Sequence, residues 1–519
     1  METLASVDDA FRRFGDLILA TEQAAPRSAI ARPCRFIENQ QYRVSGPRFP
    51  LLRFRMSRMF SRSALLAAIY SLAVIGQAHA AGETQADLLR QAALGLRMSP
   101  NSNGVFVDAV TAGLTGAQLG VREGDVLVAL NGAAANTPGQ VAALVAGMKA
   151  DEPVELRLRR ASQTMTLRGR AVGKPLEAYP GARTDYGAVP FRDGRLRDIL
   201  VTPQGDGEAP VVFLLPGFSC ATIEPMDSAH PYRRLAAELS EAGVGFYRVE
   251  KPGVGDSTGD HGCAEIDFAT ELDAFRTAYK HLTDVRGVDP GRIFLFGHSL
   301  GGMQAPLLAA ERPPRGVAAY GTVLRNWGDY HYNVDVFQAF LLSGADPVDQ
   351  KEEAEANRDL FHRFYLLRQA PGDIVRERPD LAQPLRQLGW DGGERMLGRQ
   401  FRFLQELAAL PVLAGWRDTR SQVLSLYGES DVVALFDVDH RLIADIVNHY
   451  RPGTGRFVQV PATDHAMGLV GDREELRRRT VLAGVAPSGP FNSEITGILV
   501  GWIRESMATP AVASSQSEK

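Results

Sequence analysis

One segment constrains this chain more than any other: the apolar run Ile293-Phe294-Leu295-Phe296 passes directly into Gly297-His298-Ser299-Leu300-Gly301-Gly302. A short, continuous apolar run reads as a strand buried on both faces, and Met303–Ala310 beyond it reads as a helix. Little chain is left for the reversal between them. A serine on so sharp a turn needs glycine two positions before and two after, because a Cβ at either place would collide with the neighbouring strand or helix. Gly297 and Gly301 meet that need, so the spacing predicts a strand–turn–helix unit that holds Ser299 out as a candidate nucleophile.

Strand and helix patterns alternate from about residue 192 almost to the C-terminus, which predicts a largely parallel sheet with crossover helices. Val211–Leu215 ends in Pro216-Gly217-Phe218, and Gly245–Val249 stops at Lys251-Pro252-Gly253. A nucleophilic serine needs a base and a group that orients the base. Val423–Tyr427 leads into Gly428-Glu429-Ser430-Asp431, and Phe457–Val460 leads to Asp464-His465, so an acid and a histidine each follow a later strand. Glu429 is the alternative acid, but it comes early in the G-x-x-D pattern. Of the remaining histidines, His298 sits inside the serine turn, and His230, His261, His281, His331, His362, His440 and His449 follow no late strand.

On these residues the stretch from about Arg192 to Trp502 resembles the α/β-hydrolases. It is most similar to the branch of serine aminopeptidases, acyl-peptide hydrolases and carboxylesterases. The resemblance implies a mostly parallel sheet with helices on both faces and a helical cap, here expected at about 330–420 from apolar helical patterns such as Val334–Leu342 and Met396–Leu410. It also implies a Ser299, Asp431 and His465 triad, an oxyanion hole made by the backbone N–H groups of Phe218 and Leu300, and no metal or cofactor. Glu250-Lys251-Pro252-Gly253-Val254-Gly255-Asp256-Ser257 is similar to the branch's D-x-R-G-x-G-x-S loop, but departs from it at the acid and at the arginine.

Residues 86–172 have a different character, with short alternating runs punctuated by glycine. Gly104–Val110 reads as a strand, Glu123–Gly132 as a turn, a strand and an Asn-Gly turn, Thr137–Met148 as a helix, and Val154–Leu167 as a hairpin. The phrases "GVFVDAV" and "AQLGVREGDVLVALNG" make this segment resemble the PDZ domains of bacterial periplasmic proteases. That resemblance implies a β-rich module that adds a peptide C-terminus as a strand, with the carboxylate held at Leu94-Gly95-Leu96. A purely structural module is the alternative. Residues 173–191 are expected to link it to the second domain at 192–505, with 506–519 as a disordered tail.

A chain of 519 residues, 45% hydrophobic and 23% charged, is long enough for two packed domains. Its net charge of −4 argues against a dedicated nucleic-acid binder, which carries a basic excess or a basic stripe. Near the N-terminus Arg58 and Arg62 precede the apolar run Ala64–Gly76 and the Ala78-His79-Ala80 motif. This order predicts a signal peptide at 59–80 cleaved after Ala80, with an uncleaved anchor as the alternative. Residues 1–58 are then expected to be an over-extended or disordered start, and the product to be periplasmic or secreted with no membrane span. Removing Cys34 leaves Cys220 and Cys263, which form a disulfide in an oxidising compartment or remain two small core residues. The expected partner is a small-molecule ester or a peptide substrate of an exported serine hydrolase. An esterase is the first reading and a peptidase using the PDZ-like module the second. A peptide-binding protein without turnover is the third.

Overall fold

The computed structural model describes residues 88–205, 208–484 and 486–510. The expected start segment and signal peptide lie outside the described residues, and so do residues 511–519 of the expected tail. Residues 506–508 are not tail but the end of the helix Glu494–Ala508, where Ile503 and Ser506 are buried.

The first domain is an antiparallel sheet of β1 (Leu96–Asn101), β2 (Gly104–Val110), β3 (Val126–Leu130), β4 (Ala133–Ala134), β5 (Pro153–Arg160) and β6 (Gln163–Arg170), in the order β1-β2-β3-β5-β6 with β4 beside β3. Alternation builds its core. Val105 and Val107 of β2, and Val154, Leu156 and Leu158 of β5, point inward at every second position and meet Val141 of the helix Pro138–Ala146. Thr137 caps that helix by accepting the Gln140 N–H at 3.2 Å.

The second sheet contains β7 (Ala182–Phe191), β8 (Gly194–Pro203), β9 (Val211–Leu215), β10 (Gly245–Val249), β11 (Ile293–His298) and β12 (Gly316–Tyr320). A separate two-stranded ribbon, β13 (Arg395–Met396) and β14 (Arg399–Gln400), precedes its last strands, β15 (Gln422–Gly428) and β16 (Gly455–Val460). The sheet order is β16-β15-β12-β11-β9-β10-β8-β7, parallel from β16 to β10 and antiparallel over β10-β8-β7. β7 falls inside the segment expected to be a linker. It carries Gly187, Pro190 and polar residues, as a half-buried edge strand does, so it offers no apolar run to read.

Helices cover both faces of this sheet, which is why β9 is apolar at every position. Val211, Phe213 and Leu215 pack toward Phe275, Ala278 and Leu282 of the helix Phe268–Asp284. Val212 and Leu214 pack toward Leu235 and Leu239 of the helix Pro231–Glu241, and toward Ile495 and Leu499 of Glu494–Ala508. Between β12 and β15 the chain is mostly helical, with the helices Trp327–Ser343, Pro347–Ala356, Phe401–Leu407 and Val412–Asp418 among its longer elements. The helical pattern expected to start at Met396 is first the β13-β14 ribbon, turned by Gly398 at φ +74°, and becomes helix only at Phe401. Cys220 and Cys263 form a disulfide with Cα atoms 5.7 Å apart. It ties the loop after β9 to the loop after β10.

The two domains meet at a polar seam. Arg90 pairs with Glu224 at 2.8 Å and with Asp256, and the Gln91 N–H donates to Asp256 Oδ1 at 2.6 Å. Lys149 Nζ donates to the Gly255 carbonyl at 2.7 Å, and Arg197 Nη2 donates to the Leu88 carbonyl at 2.9 Å. The first domain therefore rests on the loops that follow β9 and β10 and on β8.

Candidate active site

Ser299 follows β11 at φ +55°, a left-handed conformation that a residue with a side chain adopts only when its surroundings enforce it. Its N–H donates to the Tyr320 carbonyl at 2.9 Å. The reversal into the helix Gly301–Glu311 is so close that a Cβ on Gly301 would lie 1.9 Å from the Leu215 carbonyl oxygen. Strand β12 ends beside this turn and is followed by Gly321, whose φ is +59° and whose added Cβ would lie 2.9 Å from both Asp431 Oδ2 and His465 Nδ1.

Asp431 and His465 come from the loops after β15 and β16, and His465 Nδ1 lies 2.9 Å from Asp431 Oδ2. Asp431 Oδ1 accepts the N–H groups of Val433 and Ala434 at 2.8 and 2.7 Å. Burial alone would raise the Asp431 carboxyl, but the charge and hydrogen bond of His465, with those two N–H groups, hold it below the usual carboxylate range. Burial opposes the charged form of His465, and the Asp431 carboxylate outweighs that effect and raises the imidazole above its ordinary value. Glu429, the alternative acid, instead accepts the Ala462 N–H at 2.8 Å.

Ser299 and His465 line one cavity of about 20 Å³ together with Leu300, Val323, Trp327 and Tyr330. No Ser299–His465 hydrogen bond forms among the described residues; catalytic hydrogen bonds of this kind commonly tighten only when substrate binds. His298 supports the histidine from behind. Its Nε2 meets the His465 carbonyl at 2.9 Å, its Nδ1 meets the Tyr232 hydroxyl at 2.8 Å, and burial pulls its pKa down to about 3. A neutral ring there adds no charge beside His465.

Phe218 and Leu300 flank the serine turn, and neither backbone N–H has a hydrogen-bond partner among the described residues. Gly217 lies against Ser299, with an added Cβ 3.2 Å from Ser299 Cβ. Both peptide units around Phe218 are held from outside the loop. Lys251 Nζ donates to the Gly217 carbonyl at 2.7 Å, and Arg399 Nη1 donates to the Phe218 carbonyl at 2.8 Å. Glu271 joins the two cations, at 3.2 Å from Lys251 and 2.7 Å from Arg399. Burial lowers the Lys251 pKa to about 8 against the pull of Glu271. No motif marks Glu271 or Arg399 in the sequence, and Lys251 stands out there only as part of a departure from a loop motif.

Glu250, at the acidic position of the same loop, is buried, and its Oε2 accepts the Ile223 N–H at 3.1 Å. Burial raises its carboxyl pKa. In the first domain Leu94 is buried and its carbonyl accepts the Gly116 N–H at 2.8 Å, Gly95 has φ +68°, and Leu96 opens the edge strand β1.

Residues 211–479 match the model of the Alpha/beta hydrolase family, and residues 92–168 match that of the PDZ domain. No curated protein matches the sequence. Among solved structures the chain is similar to Est1E from Butyrivibrio proteoclasticus, at 14% identity over 62% of this chain and 99% of that one, with a TM-score of 0.38. It is similar to proline iminopeptidase from Mycobacterium smegmatis at 17% identity, over 62% and 99% of the two chains, with a TM-score of 0.38. A thermostable carboxyl esterase from Bacillus coagulans is 14% identical over 62% and 99%, with a TM-score of 0.37.

Proposed function

The chain belongs to the alpha/beta hydrolase family, and on that premise we propose that it is a serine hydrolase cleaving an ester or amide through an acyl-enzyme. The observation that carries this reading is Ser299, held at φ +55° on its turn, in one cavity with a His465 whose other ring nitrogen is engaged by Asp431. In this mechanism Ser299 Oγ attacks the substrate carbonyl carbon while its proton passes to His465 Nε2. The charge that forms on the carbonyl oxygen is met by the N–H groups of Phe218 and Leu300. His465 then gives the proton to the departing alcohol or amine. Water, deprotonated by the same ring, cleaves the acyl-serine and restores the Ser299 hydroxyl.

An ester of an uncharged acyl group is the favoured substrate, because Leu300, Met303, Val323, Trp327 and Val433 make the cavity wall largely apolar. A peptidase is the second reading, favoured by the PDZ match, since PDZ domains take up peptide termini by strand addition. Export to the periplasm or beyond belongs to the same proposal. The Cys220–Cys263 disulfide supports it, and so does the charged, apolar and small-residue order of residues 59–80.

The test is labelling of the purified protein with a fluorophosphonate probe, followed by mass spectrometry of its peptides. Label is expected on Ser299 and is expected to vanish in Ser299→Ala and His465→Ala. Folded protein that takes no label overturns the reading in favour of a peptide-binding protein without turnover.

A further inference from the structure

We infer that Lys251 is a positioning residue for oxyanion stabilisation: held by Glu271, it fixes the Gly217–Phe218 peptide so that the Phe218 N–H faces the reacting carbonyl. The inference rests on the serine-hydrolase reading above. A trans peptide is planar, and its C=O and N–H point in opposite directions. The carbonyl that Lys251 Nζ engages at 2.7 Å is that of Gly217, so it shares its plane with the Phe218 N–H. Fixing one end of that plane aims the other.

The next peptide is fixed as well, because Arg399 Nη1 holds the Phe218 carbonyl at 2.8 Å. Phe218 thus has an anchored peptide on each side and cannot rotate its N–H away without breaking a charge-assisted hydrogen bond. The anchors are themselves immobilised. Lys251, Glu271 and Arg399 are each no more than 2% exposed, and Gln304 Nε2 adds a hydrogen bond to Glu271 at 3.0 Å.

Buried ion pairs gain little stability over packed apolar groups of the same size. What this triad supplies in addition is direction. It gathers four separate pieces of chain around the two peptides that flank Phe218: the loop after β9, the loop after β10, the helix Phe268–Asp284 and the β13-β14 ribbon. The segment between β12 and β15, which contributes Arg399, thereby also bears on the geometry of the reaction centre.

The experiment replaces Lys251 with Met, which keeps the stem and removes the donor. Glu271 retains Arg399 and Gln304 in this variant, so its carboxylate is not left alone. If Lys251→Met fails to fold, Lys251→Met with Glu271→Gln carries the test. Hydrolysis of a p-nitrophenyl butyrate probe is expected to lose kcat by roughly tenfold to a hundredfold, less than deletion of an oxyanion donor, with KM within about twofold. Affinity for propyl trifluoromethyl ketone, whose hemiketal presents the same oxyanion, is expected to fall by the same factor. A folded variant with unchanged kcat, or one in which KM rises while ketone affinity holds, overturns the inference. A parent protein that neither takes fluorophosphonate nor turns over the ester overturns the serine-hydrolase reading, and this inference falls with it; an active parent and an equally active variant overturn this inference alone.

Discussion

At the scale of single residues, the proposed mechanism makes the pair Asp431–His465 the link between catalysis and pH. A general base works unprotonated, so activity rises as pH climbs through the pKa of His465. The Asp431 carboxylate holds that pKa above 6.5, and the acid limb of kcat/KM is expected above pH 6.5 in the parent. In Asp431→Asn the raising charge is gone and burial remains, so the limb is expected to move to lower pH while kcat falls about 10⁴-fold. A pH–rate profile of both proteins checks the direction, and an unmoved limb would exclude His465 as the titrating base. Gly321 gives a steric test of the same pair. An alanine Cβ would sit 2.9 Å from both partner atoms in a backbone conformation that strains any L side chain. Displacing catalytic groups by about 1 Å costs about 10²-fold, so Gly321→Ala is expected to keep its circular dichroism and lose at least that much activity. The sequence makes Ser299 conspicuous because its turn demands glycines at fixed offsets. It leaves Gly321 unremarked, since that glycine is required by residues more than a hundred positions further along the chain.

At the scale of elements, the loops after β9 and β10 are legible as loops, but what holds them is not. Lys251, Glu271 and Arg399 converge only once three different segments are folded together, and no local pattern announces such a meeting. β7 is illegible in the sequence for a different reason. Burial on one side and pairing along only one edge permit glycine, proline and charge, so the strand lacks the apolar run that makes β9 and β11 plain. The disulfide can be weighed at this scale. Its cysteines are separated by 43 residues, and a crosslink of that span restricts the unfolded chain by about 4 kcal/mol in the loop-entropy picture. Cys220→Ser with Cys263→Ser is expected to lose about 2–4 kcal/mol in urea unfolding, and dithiothreitol to reproduce the loss in the parent alone. Equal midpoints for parent and variant under oxidising conditions would mean that the crosslink leaves stability unchanged.

At the scale of the whole molecule, the seam decides whether the two domains behave as one. Arg90 is only partly exposed, at 18%, and it meets two carboxylates of the second domain that are nearly inaccessible, Glu224 at 3% and Asp256 at 1%. Asp256 also pairs with Arg197 at 3.0 Å, and Glu224 lies 3.6 Å from Lys174 Nζ. Removing Arg90 therefore weakens both acids' surroundings without leaving either bare. The expected cost of Arg90→Ala is about 3 kcal/mol, at the lower end for breaking a buried charged contact. Because Gln91 and Lys149 also reach the loop Glu250–Ser257, the loss should spread to that loop and not remain in the first domain. Calorimetry is expected to show one cooperative transition in the parent and a first-domain transition separating from it in Arg90→Ala. Hydrogen exchange should rise across 250–257 in the same variant. A single undivided transition with unaltered exchange would mean that the seam is a resting contact only. In that case a peptide that added to β1 would have no physical route to the loop that carries Lys251, and the two domains would act side by side on one chain.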